Sequence, residues 1–298
     1  MNLHNLLGLT ETIQIMDIGA SCIAEVPVYK KLLDDELAHL HAFEGDGRHV
    51  AKIQGTYGNK VTVYNDFLSD CTEKTLYLAS EASGMTSLFK PDLSALRFFN
   101  GFEKFGEIHS TEKIQTKRLD DVTGIPGIDL LKMDIQGSEL SVLENGLNTL
   151  QECLAIQLEV SYICLYENQP TFGEIDIWMR RNGFLPHCFL EVKRWSIAPT
   201  IRNNNFRMPF NQLLESDIVY TKNPLKLSAL TIEQLKKTAL IAHNCFSSFD
   251  LCVHVLRELV LRGVLGADTV GQYLASLNKK SEPTIEMKPN NEIKPNRV

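Results

Sequence analysis

One stretch of the chain concentrates chemistry-bearing side chains at fixed steps: Lys132-Met133-Asp134-Ile135-Gln136-Gly137-Ser138-Glu139. It begins inside the apolar run 128–133, so a buried strand carries Lys132 and delivers Asp134 to its carboxyl end. Gly137 then makes the turn, and Glu139 opens the next helix, where a carboxylate meets the positive end of the helix dipole. A carboxylate held this way projects into a cleft and can orient a reacting hydroxyl or take its proton. Lys132, two residues earlier and on the same strand face, would pair with Asp134 and keep it ionised. Glu159 ends a second apolar run, 153–160, and must pair or face a wet cleft, since an unpaired buried charge is costly. Asp134 is therefore the first candidate for a base or acceptor-orienting group, with Glu139 and Glu159 behind it.

Two further patches suit a nucleoside. The first apolar run ends in Asp17-Ile18-Gly19-Ala20-Ser21, an acidic residue and a glycine turn that lets backbone approach a ligand closely. The next ends in Phe43-Glu44-Gly45-Asp46, and an acidic residue there can accept both hydroxyls of a ribose. The GxGxxG fingerprint that receives a pyrophosphate is missing from Gly19-Ala20-Ser21-Cys22-Ile23-Ala24, so NAD suits the pair poorly. S-adenosylmethionine has no phosphate and carries a sulfonium cation, which carboxylates such as Asp17 favour. Both Glu44 and Asp46 also read plainly as solvated loop residues. Asp134, Glu139, Glu159 and His187 match no zinc or calcium spacing, so no obligatory metal is expected. His187, within a short strand run, reads as a core histidine.

The elements that must position these groups follow from hydrophobic periodicity. Runs at 13–18, 38–43, 60–64, 128–133 and 153–160 look like strands buried on both faces, the pattern of a parallel sheet, and two more runs follow at 184–191 and 217–221. Helical stretches at 28–35, 138–144 and 172–182 separate them, which predicts a doubly wound α/β sheet. In such sheets ligands sit beyond the carboxyl ends of the strands. From 228 to 277 the leucines fall in long stretches without strand alternation, predicting a helical appendage whose first helix is capped by Thr231 with Gln234 three residues on. Those leucines need a partner surface, either the sheet domain or a second copy in a homodimer. Residues 279–298 are polar and Pro-containing and read as a disordered tail. The domain boundaries expected are 1–227, 228–278 and 279–298.

Composition narrows the classes. Of 298 residues, 30 are Lys or Arg and 37 Asp or Glu, a net charge of −7, which removes the basic footprint of a general nucleic-acid binder. No run approaches the roughly 20 apolar residues that a membrane span needs. The seven cysteines show no CxxC pair, and they read as reduced thiols of a cytoplasmic protein.

Taken together and in order, the patches resemble the FkbM-type methyltransferase family, whose pattern K-x-D-x-[EQ]-G-x-E before a short apolar helix is met at Lys132, Asp134, Gln136, Gly137 and Glu139. The likeness runs from about residue 13 to 223. It includes Asp17-Ile18-Gly19-Ala20, Glu44, the stretch Met85-Thr86-Ser87-Leu88-Phe89-Lys90-Pro91, Leu119-Asp120-Asp121, Gln157-Leu158-Glu159-Val160 and Glu215-Ser216-Asp217. The resemblance implies a Rossmann-like seven-stranded methyltransferase sheet. It implies S-adenosylmethionine held at Asp17, Gly19, Ala20, Ser21, Glu44 and Asp134, and O-methyl transfer to a saccharide or related small metabolite, with Asp134, Glu139, Glu159 and Lys132 at the chemistry. One departure is that Ser21-Cys22-Ile23 stand where the family continues into Asn and a second Gly. That altered turn keeps open a module that binds a nucleoside or a protein partner without catalysis. An oxidoreductase using NAD is the third reading.

Overall fold

The computed structural model describes residues 3–20, 26–80 and 83–278. In chain order its elements are α1 (Leu3–Leu7), β1 (Ile13–Ile18), α2 (Lys30–Asp34), β2 (Ala38–Phe43), α3 (Gly47–Tyr57), β3 (Val61–Tyr64), β4 (Glu73–Ala79), α4 (Leu93–Phe98), β5 (Ile108–Gln115), β6 (Leu130–Met133), α5 (Glu139–Glu144), β7 (Ala155–Ser161), α6 (Phe172–Arg181), β8 (Phe184–Arg194), β9 (Leu213–Lys222), α7 (Ile232–Phe246), α8 (Phe249–Leu261) and α9 (Thr269–Asn278). Apolar residues on both faces make β1, β2, β6 and β7 central strands, because only a sheet covered on each side hides such runs from water.

Seven strands form one sheet in the order β3-β2-β1-β6-β7-β9-β8. The first five are parallel, and β9 lies antiparallel between β7 and β8. The chain runs outward from β1 to β2 and β3, then returns to start the other half at β6. The gap beyond the carboxyl ends of β1 and β6 is thus the place where strand order reverses and a ligand crevice opens. Met16, Ile18, Phe43, Leu131, Met133 and Ile156 form the core beneath it with Leu158 and Ile218. The predicted doubly wound sheet is the one observed.

Two features were not legible as elements. Helix α3 buries only Ile53, too little for an apolar stripe to show. The antiparallel pair β4 and β5 forms a separate two-stranded sheet, and β5 is largely exposed, so its sequence lacks hydrophobic alternation. The long connection between the two strands carries 83–88, which line the crevice described below.

Packing divides the chain into a sheet unit, residues 12–225 with 244–246, and a helical unit. Within the helical unit, which also takes in residues 3–11, Thr231 caps α7 through the full capping box with Gln234, as the sequence predicts. Helix α8 buries Leu251, Cys252, Val255, Leu256 and Leu259, and Arg262 donates to the carbonyls of Leu227 and Leu230 at 2.7 Å each. The 279–298 segment expected to be disordered lies outside the described residues. No described helix is long and apolar enough to cross a membrane, and the six described cysteines are free thiols.

Beneath the sheet's edge, His41 of β2 is buried with Nε2 3.1 Å from Gln14 Oε1 and Nδ1 3.2 Å from the Tyr64 hydroxyl. The neutral ring satisfies both partners, donating to Gln14 and accepting from Tyr64. Burial, with a smaller contribution from His39, pushes its pKa down to about 4. A base depressed on folding stabilises the fold fully above its unfolded value and loses that contribution as pH falls towards the folded one. Wild-type protein should therefore lose up to about 3 kcal/mol between pH 6.5 and 4 through this residue. In urea titrations across that window His41→Gln should show a visibly shallower loss; parallel curves would exclude His41 as a source of acid sensitivity.

Candidate active site

The floor of the crevice is a polar row set by strand register. Asp17 of β1 pairs with Lys132 of β6, and Lys132 with Gln157 of β7, so all three project from the same face at one level. Asp17 is 3% exposed and accepts from the Tyr29 hydroxyl at 2.5 Å and from Lys132 Nζ at 3.3 Å. Burial and the adjoining Asp17 carboxylate push the Tyr29 phenol well above its ordinary range. Burial also opposes charge on Lys132, but Asp17, Asp134 and Asp217 outweigh it and hold the ammonium protonated. Lys132 was expected to pair with Asp134. Its ion pair is instead with Asp17, because parallel register sets those two side by side whereas Asp134 has already left the strand.

The wall on the β1 and β2 side is drawn together by backbone. Gly19 and Ala20 both donate to the Phe43 carbonyl, at 3.0 and 3.2 Å, and the Asp134 N–H donates to the Ile18 carbonyl at 3.1 Å. Gly19 has φ +81°, and a Cβ there would stand 2.1 Å from the Asp134 carbonyl oxygen, so only glycine allows this approach. Glu44 is nearly buried, accepts from the Asp46 N–H at 2.8 Å, and has its pKa raised chiefly by burial. Asp46 caps α3 by accepting from Arg48 N–H. Asp17, Gly19, Ala20, Glu44 and Asp134 all line one cavity of about 880 Å³. Ser21 and its neighbours through 25 lie outside the described residues, so the departure in that turn has no structural account.

The opposite wall is organised by Gln136. Its backbone is left-handed, φ +56°, and the turn is pinned by the Ser87 hydroxyl donating to the Gln136 carbonyl at 2.6 Å. The Gln136 amide nitrogen donates to Asp134 Oδ1 at 2.8 Å and Glu159 Oε2 at 3.1 Å, while its oxygen accepts from the Tyr166 hydroxyl at 2.8 Å. Lys193 of β8 reaches Glu159 at 3.2 Å and Glu215 at 2.8 Å. Burial, then the neighbouring Asp134 and Glu215, drive the Glu159 pKa well above the carboxylate range against the pull of Lys193. Asp134 is exposed to the cavity and Glu159 lines it.

Glu139 stands apart from these two. It is 3% exposed, does not line the cavity, and accepts from the Ile135 and Gly137 N–H groups at 3.1 and 3.2 Å. Its carboxylate ties down the loop that carries Gln136, a positioning role where reaction chemistry was expected. His187 is half-buried on β8 and does not line the cavity either. The sequence reading missed Tyr29, Lys193 and the part played by Ser87. Ser87 had a signal, its place in the Met85–Pro91 patch; Lys193 had none, lying in a strand of mixed exposure. Among the described residues, Ser138 Oγ and Gln157 Oε1 are buried without a hydrogen-bond partner, and both residues line the cavity.

A doubly wound sheet of seven strands with one antiparallel insertion, acidic groups at the carboxyl ends of its first two strands and a crevice at the switch point is the architecture of Rossmann-like methyltransferases. The chain belongs to the family of the methyltransferase FkbM domain, whose model matches residues 17–186. It is 27% identical over 162 residues to the 2-O-methyltransferase NoeI of Sinorhizobium fredii, covering 52% of this chain and 66% of that protein, slightly under two thirds of its length. Among solved structures it is similar to precorrin-6y C5,15-methyltransferase from Geobacter metallireducens, at 13% identity and TM-score 0.34 over 74% of this chain and 85% of that one. It is similar also to magnesium protoporphyrin IX methyltransferase from Synechocystis with bound SAM, at 9% identity and TM-score 0.34 over 74% and 78%.

Burial raises the Glu139 pKa to about 7 in spite of the backbone N–H groups it accepts. An acid raised on folding contributes stability that is present below its unfolded value, near 4.5, and is lost as pH rises through about 7. Glu139→Gln keeps an acceptor for both N–H groups and cannot ionise. It should melt higher than wild type at pH 8, melt like wild type at pH 4.5, and retain turnover. A rate loss of about a hundredfold or more with normal melting would put Glu139 back in the reaction.

Proposed function

We propose that this protein transfers a methyl group from S-adenosylmethionine to a hydroxyl oxygen of a saccharide or related metabolite. The observation that carries the reading is the continuous polar line Asp134, Gln136, Glu159 and Lys193 facing the same cavity as Gly19 and Glu44. The FkbM family membership supports methyl transfer, and the 2-O-methyltransferase relative favours oxygen as the acceptor atom.

The residues present fit the cofactor. Glu44 lines the cavity as an acceptor suited to ribose hydroxyls, the cavity is rich in carboxylates that attract a cation, and the Ser138 hydroxyl has no hydrogen-bond partner among the described residues. Bound there, S-adenosylmethionine supplies a methyl group already activated by its sulfonium. The chain's own work is then positional. Its walls would orient the acceptor hydroxyl towards that methyl group. Asp134, turned by Gln136, receives the hydroxyl proton. Glu159 acts through Gln136 by fixing that orientation, and Lys193 holds Glu159 in place.

Asp134→Asn preserves shape but cannot take a proton at neutral pH. Methyl transfer should fall by about 10²–10⁴, with cofactor affinity within a few-fold of wild type by calorimetry. Near-normal turnover would make Asp134 structural. Glu44→Ala, in contrast, should weaken cofactor binding by about 1.5–3 kcal/mol, the worth of a hydrogen bond to a charged acceptor. Unchanged affinity in that variant would remove Glu44 from the site.

A further inference from the structure

A second concavity of about 520 Å³ adjoins the first along the same strands, lined by Tyr162, Trp195, Phe210, Gln212 and Leu213 with Ile197, Thr200 and Asn211. Its relation to the first cavity is set by strand geometry. On β8 and β9, which pair antiparallel, Lys193 and Glu215 line the first cavity. Trp195, just past the end of β8, and Leu213, the first residue of β9, line the second, beyond an irregularity in the β8–β9 register. The two cavities meet where Trp195, in the second, packs against Phe102, in the first.

The lining has the chemistry of a sugar platform. A pyranose ring offers an apolar C–H face and a rim of hydroxyls, and the cavity sets aromatic rings beside the amides of Asn211 and Gln212 and the hydroxyls of Thr200 and Tyr162. An acyl chain would have no use for those polar groups. Trp195 is also fixed in advance: its indole N–H donates to the Asn100 carbonyl at 2.8 Å, and its ring meets Phe102 edge-on at a centroid distance of 5.0 Å. Phe102 itself lines the first cavity, so the two walls share one aromatic cluster. Arg207 lies over Trp195 and Arg202 over Phe210, which limits ring movement further. A platform whose ordering entropy is already spent binds more tightly for the same contact.

We propose that the acceptor is an oligosaccharide of at least two units, whose reacting unit lies beside Asp134 and whose neighbouring unit stacks in the Trp195 and Phe210 concavity. The inference rests on the saccharide reading above. It is tested with neutral saccharide ladders of one to four hexose units, methylated in the presence of S-adenosylmethionine. For the series that turns over, kcat/KM should rise about tenfold from one unit to two, the effect of one good stacking contact. The exposed Phe210 should tolerate replacement, so Phe210→Ala is the first variant and Trp195→Leu, checked by melting, the second. In each, the ratio of disaccharide to monosaccharide kcat/KM should fall towards one. As a reading independent of turnover, Trp178→Phe leaves Trp195 as the lone tryptophan of the chain's two, and its emission should shift saturably with disaccharide but not monosaccharide. A ratio already near one in wild type, or one that persists in both variants, overturns the subsite while leaving the saccharide reading intact. A rate that follows alkyl length in a set of alkyl monosaccharides assigns the cavity to an acyl chain and overturns it too. No turnover with any saccharide overturns the parent reading and the subsite with it.

Discussion

The site depends on one turn. After β6 the backbone enters the left-handed region at Gln136, φ +56°, and stays there at Gly137, φ +106°. A left-handed residue with a long side chain costs about 1–3 kcal/mol and persists only where its surroundings over-determine it. Here they do: Ser87 pins the carbonyl, Glu139 binds the N–H groups on either side, and Tyr166 fixes the side-chain oxygen. The result is an amide nitrogen that reaches two carboxylates, Asp134 in the loop after β6 and Glu159 on β7. Without the turn, Asp134 would continue the line of β6 and Glu159 would have only Lys193 as partner.

That turn also explains why distant segments carry sequence patterns of their own. Ser87 lies after the hairpin strand β4, far from β6 in sequence, yet its hydroxyl is a structural part of the β6 loop. Gly19 belongs to the same arrangement from the other side, since its missing side chain is what lets the Asp134 carbonyl sit against β1. Three separate patches, Asp17 to Ala20, Met85 to Pro91 and Lys132 to Glu139, therefore meet at one point.

How much of this could be read in advance follows from what each residue's neighbours are. Strands β1 and β2 are buried on both faces, and their ends coincide with the predicted runs. Glu44, Asp134 and Glu159 were visible because a charge at the end of a buried run is conspicuous. The partner of Lys132 was not, since an i,i+2 pair on one strand and a pair across two strands look alike until register is known. Glu139 was only partly legible for a related reason: its position at a helix start could be read, but not that its carboxylate turns back to the loop N–H groups. Lys193 sits on an edge strand with no periodicity to mark it, and β5 and α3 bury too little to leave a pattern.

The two lysines of the cavity do different work. Lys132 is nearly enclosed and neutralises Asp17 at the floor, where an uncompensated carboxylate would be costly; such a pair adds little net stability but would be expensive to break. Lys193, at the wall, bridges Glu159 and Glu215 and leaves carboxylates in excess along the cavity as a whole. The pKa values of Glu44, Glu159 and Asp217 are all raised, each above all by burial, with repulsion from neighbouring carboxylates adding to it. A cation entering the cavity relieves that repulsion. On the proposed reading the field distinguishes the cofactor before and after reaction: the sulfonium is attracted by these carboxylates, whereas the thioether left behind carries no charge at sulfur and loses that attraction.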